Sequence, residues 1–227
     1  MTPQNEEKCV VGHTDKLQGY SQDETYWINR PKDDPRHDWN EKGETWIDSY
    51  VKSANHPHRA LIIDALKTFM PIKSLLEIGC SAAPNILRIE KEKLEISKIV
   101  GLDVNKDSIE RARQLLPQHT FSVGNIKHLL FDYREFDVVL LDAVLMYVDN
   151  YDIESVIWEI VRIVDRGIIV CDWFAEQEEI DGIHWKRNYK ALFENYGFKV
   201  EMKPFTKETW SNEQWIKNGK LFVCRLA

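Results

Sequence analysis

From Ser74 onward, short apolar runs alternate with segments that place apolar side chains at helical spacing. The runs are almost uniformly hydrophobic, which is typical of parallel strands covered by helices on both faces. Helices are predicted from about Pro84, over KDSIERARQLL and over DIESVIWEIVRIV. The strands predicted between them are SLLEIG, KIVGLD, TFSV, FDVVLLD and GIIVCDW.

The C-terminal part of the pattern differs, because its last two strands have no helix between them. A helix over HWKRNYKALFENY ends at Gly197, which can adopt the left-handed capping conformation. The strands FKVEMKPF and KLFVCRL follow, separated by a polar connection of about fifteen residues, and such neighbours pair antiparallel. The sequence therefore predicts a doubly wound α/β fold with a seven-stranded, mostly parallel sheet and an antiparallel last strand.

The N-terminal part has a different pattern. Residues 1–40 are polar and rich in aspartate, proline and aromatic residues without a helical or strand period, so we predict an irregular arm or lid. Two helices follow, over ETWIDSYVKSAN and over HPHRALIIDALKTFM, the second ending before Pro71. We therefore divide the chain into an arm and helical cap, residues 1–58, and a core, residues 59–227.

Composition narrows the classes of partner. The net charge is -7 and there is no basic block, so we expect no nucleic-acid partner. The four cysteines are scattered without CxxC spacing and predict reduced thiols. No apolar run reaches membrane-spanning length and no signal core is present, so we expect a cytoplasmic monomer or homodimer without a membrane partner.

The turn after the first predicted strand has the composition of a ligand-binding turn. In open parallel sheets, ligands bind outside the carboxyl ends of the strands, where the winding direction reverses. Gly79 allows a close backbone approach, small residues keep the turn narrow, and Pro84 suits the first turn of a helix. Glu77 is then a carboxylate that points into the crevice.

The stretch EIGCSAA resembles the first motif of the class I S-adenosylmethionine-dependent methyltransferases, acidic-x-Gly-x-Gly-x-Gly, with Ser81 and Ala83 at the second and third glycine positions. The second strand ends in Asp103 within VGLDVN, where that family holds the ribose hydroxyls. The segments VGNI, FDVVLLDAVLMYV and IVRIVDRG before IIVCDW are also similar to the family in order and spacing. The resemblance covers roughly residues 59–226.

The resemblance implies S-adenosylmethionine as the cofactor. Asp103 would accept hydrogen bonds from both ribose hydroxyls, worth roughly 1.5–3 kcal/mol each. A sulfonium ion beside an amino-acid tail also favours carboxylates at the strand ends. The other implied cofactor-binding residues are Val104 and Ile126 around adenine, Asn125 at its edge, Cys80 and Ser81 in the turn, and Glu77, Gly79 and Asp142 at the methionine end.

Each of these assignments has a structural alternative. Asp103 is also placed to cap the helix that starts near Asn105, and Glu77 is also explained as a buried carboxylate with a structural partner. Val104 and Ile126 are apolar residues whose ordinary location is the core. These alternatives stay open at the level of the sequence.

Direct methyl transfer depends mainly on alignment of the acceptor, so a base is optional. His184, after the fifth strand, is the candidate base or orienting group, with packing under Trp185 as the alternative. Tyr147 is the second candidate catalytic residue, and Arg30 is expected to reach the cofactor carboxylate. Tyr147 would form an aromatic wall with Tyr20, Tyr26, Trp27 and Trp39 of the arm.

No metal site is predicted. Asp142 and Asp172 near neighbouring strand ends leave open a Mg²⁺-assisted, catechol-type reaction, although strand-end aspartates are also ordinary helix caps. His56 and His58 are interpreted as the start of a helix rather than as ligands.

The sequence lacks the GxGxxG motif of dinucleotide-binding proteins, the phosphate loop of nucleotide-binding proteins and the HExxH motif of zinc metalloproteases. The common forms of these three classes are therefore not expected. The expected function is methyl transfer to an oxygen or nitrogen atom of a small-molecule acceptor, and the alternative from another class is a non-catalytic scaffold that binds the cofactor.

Overall fold

The computed structural model describes residues 24–32, 34 and 44–226. Its main element is one seven-stranded sheet with strand order β3-β2-β1-β4-β5-β9-β8. Strands β1 to β5 are parallel, and β9 runs antiparallel to both of its neighbours. The strands are β1 Ile72–Ile78, β2 Ile96–Asp103, β3 Thr120–Val123, β4 Phe136–Asp142, β5 Val164–Trp173, β8 Phe198–Pro204 and β9 Gly219–Leu226. The predicted sheet, its strand count and its antiparallel last strand are confirmed.

Helices cover both faces of the sheet. One buried cluster joins the sheet to α3, α4 and α5, and the other joins it to α6 and α7. The predicted double winding is therefore confirmed. The described helices are α1 Glu24–Asn29, α2 Trp46–Lys52, α3 His58–Lys67, α4 Pro84–Lys91, α5 Lys106–Leu115, α6 Ile153–Ile163, α7 Tyr189–Glu194 and α8 Glu213–Asn218.

Three predicted elements differ from the structure. The arm was predicted to be irregular, but it contains the helix α1. The helix predicted from His184 begins only at Tyr189, because residues 179–186 form a hairpin of β6 Glu179–Asp181 and β7 His184–Lys186. Helix α8 lies in the segment predicted to be a polar connection. All three are too short for a periodic pattern to be visible.

The helical cap packs onto the carboxyl end of the sheet. Trp46 and Ile47 of α2 are buried against Ala82 in the turn after β1. The Asn105 side-chain amide donates to the backbone carbonyls of Trp27 at 2.9 Å and Arg30 at 3.1 Å. The arm and cap therefore contact the edge where the sequence predicts a ligand. The boundary between cap and core near residue 58 remains a prediction.

Among the described residues, no helix is both long and apolar enough to cross a membrane. Cys80, Cys171 and Cys224 are buried and unbridged, as predicted, while Cys9 lies outside the described residues.

Candidate functional site

The turn after β1 bends through three residues with left-handed backbone conformation. Gly79, Ser81 and Ala83 have φ angles of 70°, 47° and 62°, and these are the three glycine positions of the motif. A side chain at Gly79 would also place its Cβ 2.4 Å from Val144 Cγ2. The first position thus requires glycine, whereas Ser81 and Ala83 adopt a conformation that costs L-residues roughly 1–2 kcal/mol.

Two cavities open at this edge of the sheet. The first has a volume of about 470 Å³ and lies over the ends of β1 and β2, with Asp103, Val104, Asn125 and Ile126 in its wall. The second, about 430 Å³, lies between the cap, the hairpin and the loop before β9. The residues that line both cavities, and so mark their junction, are Trp27, Tyr50, Gly79, Ser81, Asp142, Ala143 and Tyr147.

Asp103 is fixed by the turn beside it. Its Oδ2 accepts from the Ser81 backbone N–H at 2.8 Å and its Oδ1 accepts from the Asn105 backbone N–H at 2.8 Å. The cap of α5 is Asn105, whose Oδ1 accepts from the Ser108 N–H, so capping does not require Asp103. Burial raises the pKa of Asp103, opposed by these N–H groups. Each carboxylate oxygen keeps a lone pair for a further donor on the cavity side.

Glu77 is almost completely buried at the wall of the second cavity. Its Oε1 accepts from the Asn85 side-chain amide at 2.8 Å, whereas Oε2 has no partner among the described residues. Burial raises the pKa of Glu77 to about 8, opposed by the Asn85 hydrogen bond and the Arg59 charge. A buried carboxyl oxygen without a partner is costly, so this atom is suited to a cationic or protic ligand group.

Asp142 is held by cationic and amide groups. Its Oδ2 contacts Arg59 Nη1 at 2.6 Å, Asn85 Nδ2 at 3.0 Å and His58 Nε2 at 3.1 Å. Burial alone would raise the pKa of Asp142, but His58 and Arg59 lower it below its usual range. Arg59 also donates to the Ser53 backbone carbonyl and to Asn85. Asp142 is therefore the ionised centre of a buried network.

Asp172 holds the backbone of the loop that follows β4. Its Oδ2 accepts from the backbone N–H groups of Val144, Leu145 and Met146, and its Oδ1 from that of Trp173. Burial raises its pKa to about 7. No group of three or more His, Cys, Asp and Glu side chains suited to a metal occurs in residues 24–32, 34 and 44–226. With Asp172 engaged by the loop backbone, the Mg²⁺-assisted alternative stays a prediction.

Tyr147 and His184 meet in the second cavity. The Tyr147 hydroxyl lies 3.3 Å from His184 Nε2, and the His184 ring lies 4.4 Å from that of Trp173. Burial raises the pKa of Tyr147 well above its ordinary value. Trp27 of the arm packs edge-on to Tyr147 at 5.4 Å, as the predicted aromatic wall requires. Tyr26 contacts Trp27, and Tyr20 and Trp39 lie outside the described residues.

The remaining predicted site residues have structural partners. Cys80 Sγ belongs to the core between sheet and helices, although the residue borders the second cavity. Asn125 donates to Glu24 Oε1 at 2.6 Å and thereby attaches α1 to the loop after β3. Arg30 donates to Asp34 at 3.1 Å, stacks over Trp46 at 4.3 Å and borders the second cavity. Contact of Cys80, Asn125 and Arg30 with a cofactor remains a prediction.

Sequence reasoning missed several aromatic and histidine residues of the second cavity. Trp210 stacks on Trp215 with 4.1 Å between ring centroids and 7° between planes, and on His58 at 4.1 Å. These residues come from the cap and from the loop before β9, far apart in sequence. The excess of tryptophan, eight in the chain, is the one sequence signal that points to them.

The cavities fit a polar, nucleoside-sized ligand. Buried polar atoms that lack a partner among the described residues include Trp27 Nε1, Glu77 Oε2, Ser81 Oγ and Ser108 Oγ, all from residues of the cavity walls. Unpaired buried polar atoms are rare in folded proteins, and their concentration here indicates that a ligand completes the site.

Comparison with known proteins agrees with the geometry. Residues 75–167 match the family model described as a methyltransferase domain. The sequence has no match among curated proteins.

Three solved structures with similar folds are informative. Magnesium protoporphyrin IX methyltransferase from Synechocystis PCC 6803 with bound SAM is 12% identical, with a TM-score of 0.65 over 90% of this chain and 95% of that one. A SAM-dependent methyltransferase from Methanosarcina mazei is 16% identical, with a TM-score of 0.58 over 70% and 95%. The [4+2]-cyclase SpnF is 13% identical, with a TM-score of 0.59 over 74% and 80%. At these identities the structures establish the shared fold alone.

Proposed function

We propose that this chain is a class I S-adenosylmethionine-dependent methyltransferase that methylates an oxygen or nitrogen atom of a small-molecule acceptor. The matched methyltransferase domain over residues 75–167 and the shared fold support this proposal. The observation that carries the proposal is the pair of adjoining cavities, which share Gly79, Asp142 and Tyr147. One cavity has room for the cofactor and the other for an acceptor.

The first cavity and the adjoining wall of the second support the cofactor roles assigned from the motif. Asp103 lies at the end of β2 with lone pairs left for two ribose hydroxyls, and Val104 and Ile126 provide apolar surface for a flat base. Glu77 Oε2 lacks a partner among the described residues, which suits the ammonium group of the methionine tail. Arg30 on the second cavity wall supplies positive charge for the tail carboxylate.

When bound, S-adenosylmethionine supplies a methyl group on a sulfonium sulfur, and the transfer is a single displacement. The contribution of the protein is alignment and exclusion of water. Tyr147 lies at the junction of the cavities and His184 contacts its hydroxyl, so we assign this pair to orientation of the acceptor. Trp27 of α1 packs edge-on against Tyr147 at this junction.

Two measurements test the proposal. Calorimetric titration with S-adenosylhomocysteine should show one site per chain, and incubation of the cofactor with a metabolite panel should produce S-adenosylhomocysteine with at least one acceptor. Absence of binding at millimolar concentration contradicts the proposal. Tight binding without turnover of any acceptor favours a scaffold that has lost catalysis.

A further inference from the structure

Three side chains form a continuous hydrogen-bonded row at the wall of the second cavity. Asp142 Oδ2 lies 3.1 Å from His58 Nε2, and His58 Nδ1 lies 2.5 Å from His56 Nδ1. His58 is buried, the Asp142 side chain is only 9% exposed, and His56 is partly exposed; all three border the cavity. The row therefore runs from an ionised carboxylate to an imidazole that a ligand can reach.

The carboxylate determines where the hydrogens lie along this row. The Asp142 carboxylate can only accept, so His58 carries its hydrogen on Nε2 and presents an unprotonated Nδ1. His56 must then donate its Nδ1 hydrogen to His58, which leaves His56 Nε2 with a free lone pair. The contact between the His58 backbone N–H and His56 Nδ1 is long, at 3.4 Å, and does not compete with the 2.5 Å contact.

We propose that His56 accepts the proton of a phenol-type acceptor bound in the second cavity, with His58 and Asp142 as positioning residues. This inference rests on the proposed methyl transfer and names the acceptor class and the base for that same site. It replaces the interpretation of the His-x-His pair as only a helix start.

The step balances without a further reactant. The acceptor oxygen forms a bond to the methyl carbon, and the carbon–sulfur bond breaks with its electron pair retained on sulfur. The hydroxyl proton passes to His56 Nε2, while the Nδ1 proton of His56 can shift to His58 Nδ1. The extra proton then resides on His58, next to the Asp142 carboxylate, and returns through His56 to solvent after the product leaves.

The basicity of His56 favours a hydroxyl over an amine. Burial, together with the neighbouring His58 and the Arg59 charge, lowers the pKa of His56 to about 4, opposed by Asp142. A hydroxyl becomes strongly acidic as its oxygen is alkylated, so a weak base is sufficient to remove the proton. An alkylammonium must lose a proton before it can attack, and a base of this strength does not remove it.

The walls of the second cavity favour a planar aromatic acceptor. Rings of Trp173, Trp210 and Trp215 line it beside Tyr147 and His184. Its two arginines are paired, Arg30 with Asp34 and Arg59 with Asp142. A neutral flat ring can therefore stack in the cavity without leaving a buried charge unpaired.

The row of hydrogen bonds can be tested without an acceptor. Nitrogen-15 NMR of the imidazoles at neutral pH should show His56 protonated on Nδ1 and His58 on Nε2, both neutral. His58→Gln should release His56 into the mixture of tautomers seen for a free histidine. A His56 protonated on Nε2 in the wild-type protein contradicts the proposal, as does a stoichiometric copurified metal that both His56→Gln and His58→Gln remove.

Kinetics test the assignment of the base. With saturating cofactor and phenol or 2-methoxyphenol, His56→Gln should lower kcat about a hundredfold, with little change in affinity for S-adenosylhomocysteine. The loss should shrink toward none with 4-nitrophenol at pH 8, because that hydroxyl is largely ionised beforehand. His128→Gln, at an exposed position outside both cavities, is the matched control and should behave as wild type.

The outcomes separate the two proposals. Faster turnover of benzylamines than of phenols, or no turnover of any phenol by a protein that binds S-adenosylhomocysteine, overturns the phenol assignment and leaves the cofactor site intact. A loss that depends on acceptor acidity in His184→Gln, but not in His56→Gln, assigns the base to His184. Failure to bind S-adenosylhomocysteine contradicts the proposed function itself.

Discussion

The two cavities are built in different ways. The walls of the first come largely from consecutive strand ends and their turns, from Gly79 after β1 through Asp103 after β2 to Ile126 after β3. The second shares the turn after β1 but adds side chains of the cap, the hairpin and the loop before β9, which are far apart in sequence. A cavity made by local backbone is visible in a sequence, whereas one made by distant side chains is not, because its neighbours are set by tertiary packing.

Features set by neighbouring residues were predictable from the sequence, whereas features set by tertiary packing were not. The apolar runs identify the sheet, and the acidic-x-Gly turn identifies the first cavity, because both signals are local. The hairpin around His184 and the helix α8 are short and held by contacts with the sheet, so their sequences carry no period. Asp142 was assigned to the cofactor, yet its network with Arg59 and His58 joins residues more than eighty positions apart.

The largest expected effect concerns the network of Asp142, Arg59 and His58 at the second cavity, which joins residues distant in sequence. Asp142→Asn should lower the free energy of unfolding by about 3–5 kcal/mol, because Arg59 and His58 would lose the charge that compensates their burial. Urea denaturation measures the change. Asp64→Asn, an aspartate 70% exposed on α3, is the control and should change stability by less than about 1 kcal/mol.

If Asp142→Asn and Asp64→Asn change the free energy of unfolding by similar amounts, the Asp142 network does not stabilise the protein. The contacts between distant residues at the second cavity would then contribute little to stability.

The second effect concerns the first cavity. Asp103→Ala should weaken S-adenosylhomocysteine binding by about 1.5–3 kcal/mol, roughly ten- to 150-fold, because the charge-assisted hydrogen bonds to ribose are lost. Isothermal titration calorimetry measures the affinity. Glu110→Ala, a half-exposed glutamate on α5, should leave it unchanged. Equal affinities for wild type and Asp103→Ala would remove the ribose assignment.

The third effect concerns Glu77, in the wall of the second cavity. Its pKa is raised to about 8 in the cofactor-free protein, whereas the unfolded chain releases that proton near 4.5. Stability from this group is therefore fully present below pH 4.5 and is lost as the pH rises through about 8. Glu77→Gln should remove this part of the pH dependence of the unfolding free energy.

The same carboxyl should report binding. If the cofactor ammonium pairs with Glu77, binding at pH 7 should release up to about one proton, seen as a dependence of calorimetric enthalpy on the ionisation enthalpy of the buffer. Glu77→Gln should abolish that dependence. Identical proton release by the variant would mean that the ammonium binds elsewhere.

The smallest expected effect concerns the tryptophan rings of the second cavity. Trp210→Ala should raise the KM for an aromatic acceptor about three- to tenfold, since a stacked aromatic contact is worth about 0.5–1.5 kcal/mol, and should leave cofactor affinity unchanged. Initial rates at saturating cofactor give the KM. Trp158→Ala, 52% exposed on α6, is the control. A loss of cofactor affinity in Trp210→Ala would show that the two cavities are not separate in function.

A crystal structure with S-adenosylhomocysteine tests the division into two cavities most directly. We expect the adenosine in the first cavity, with its ribose hydroxyls on Asp103, and the sulfur at the junction beside Gly79 and Tyr147, facing an open second cavity. Adenosine bound among Trp173, Trp210 and Trp215 instead, or a first cavity without the ligand, would contradict the assignment of cofactor and acceptor sites.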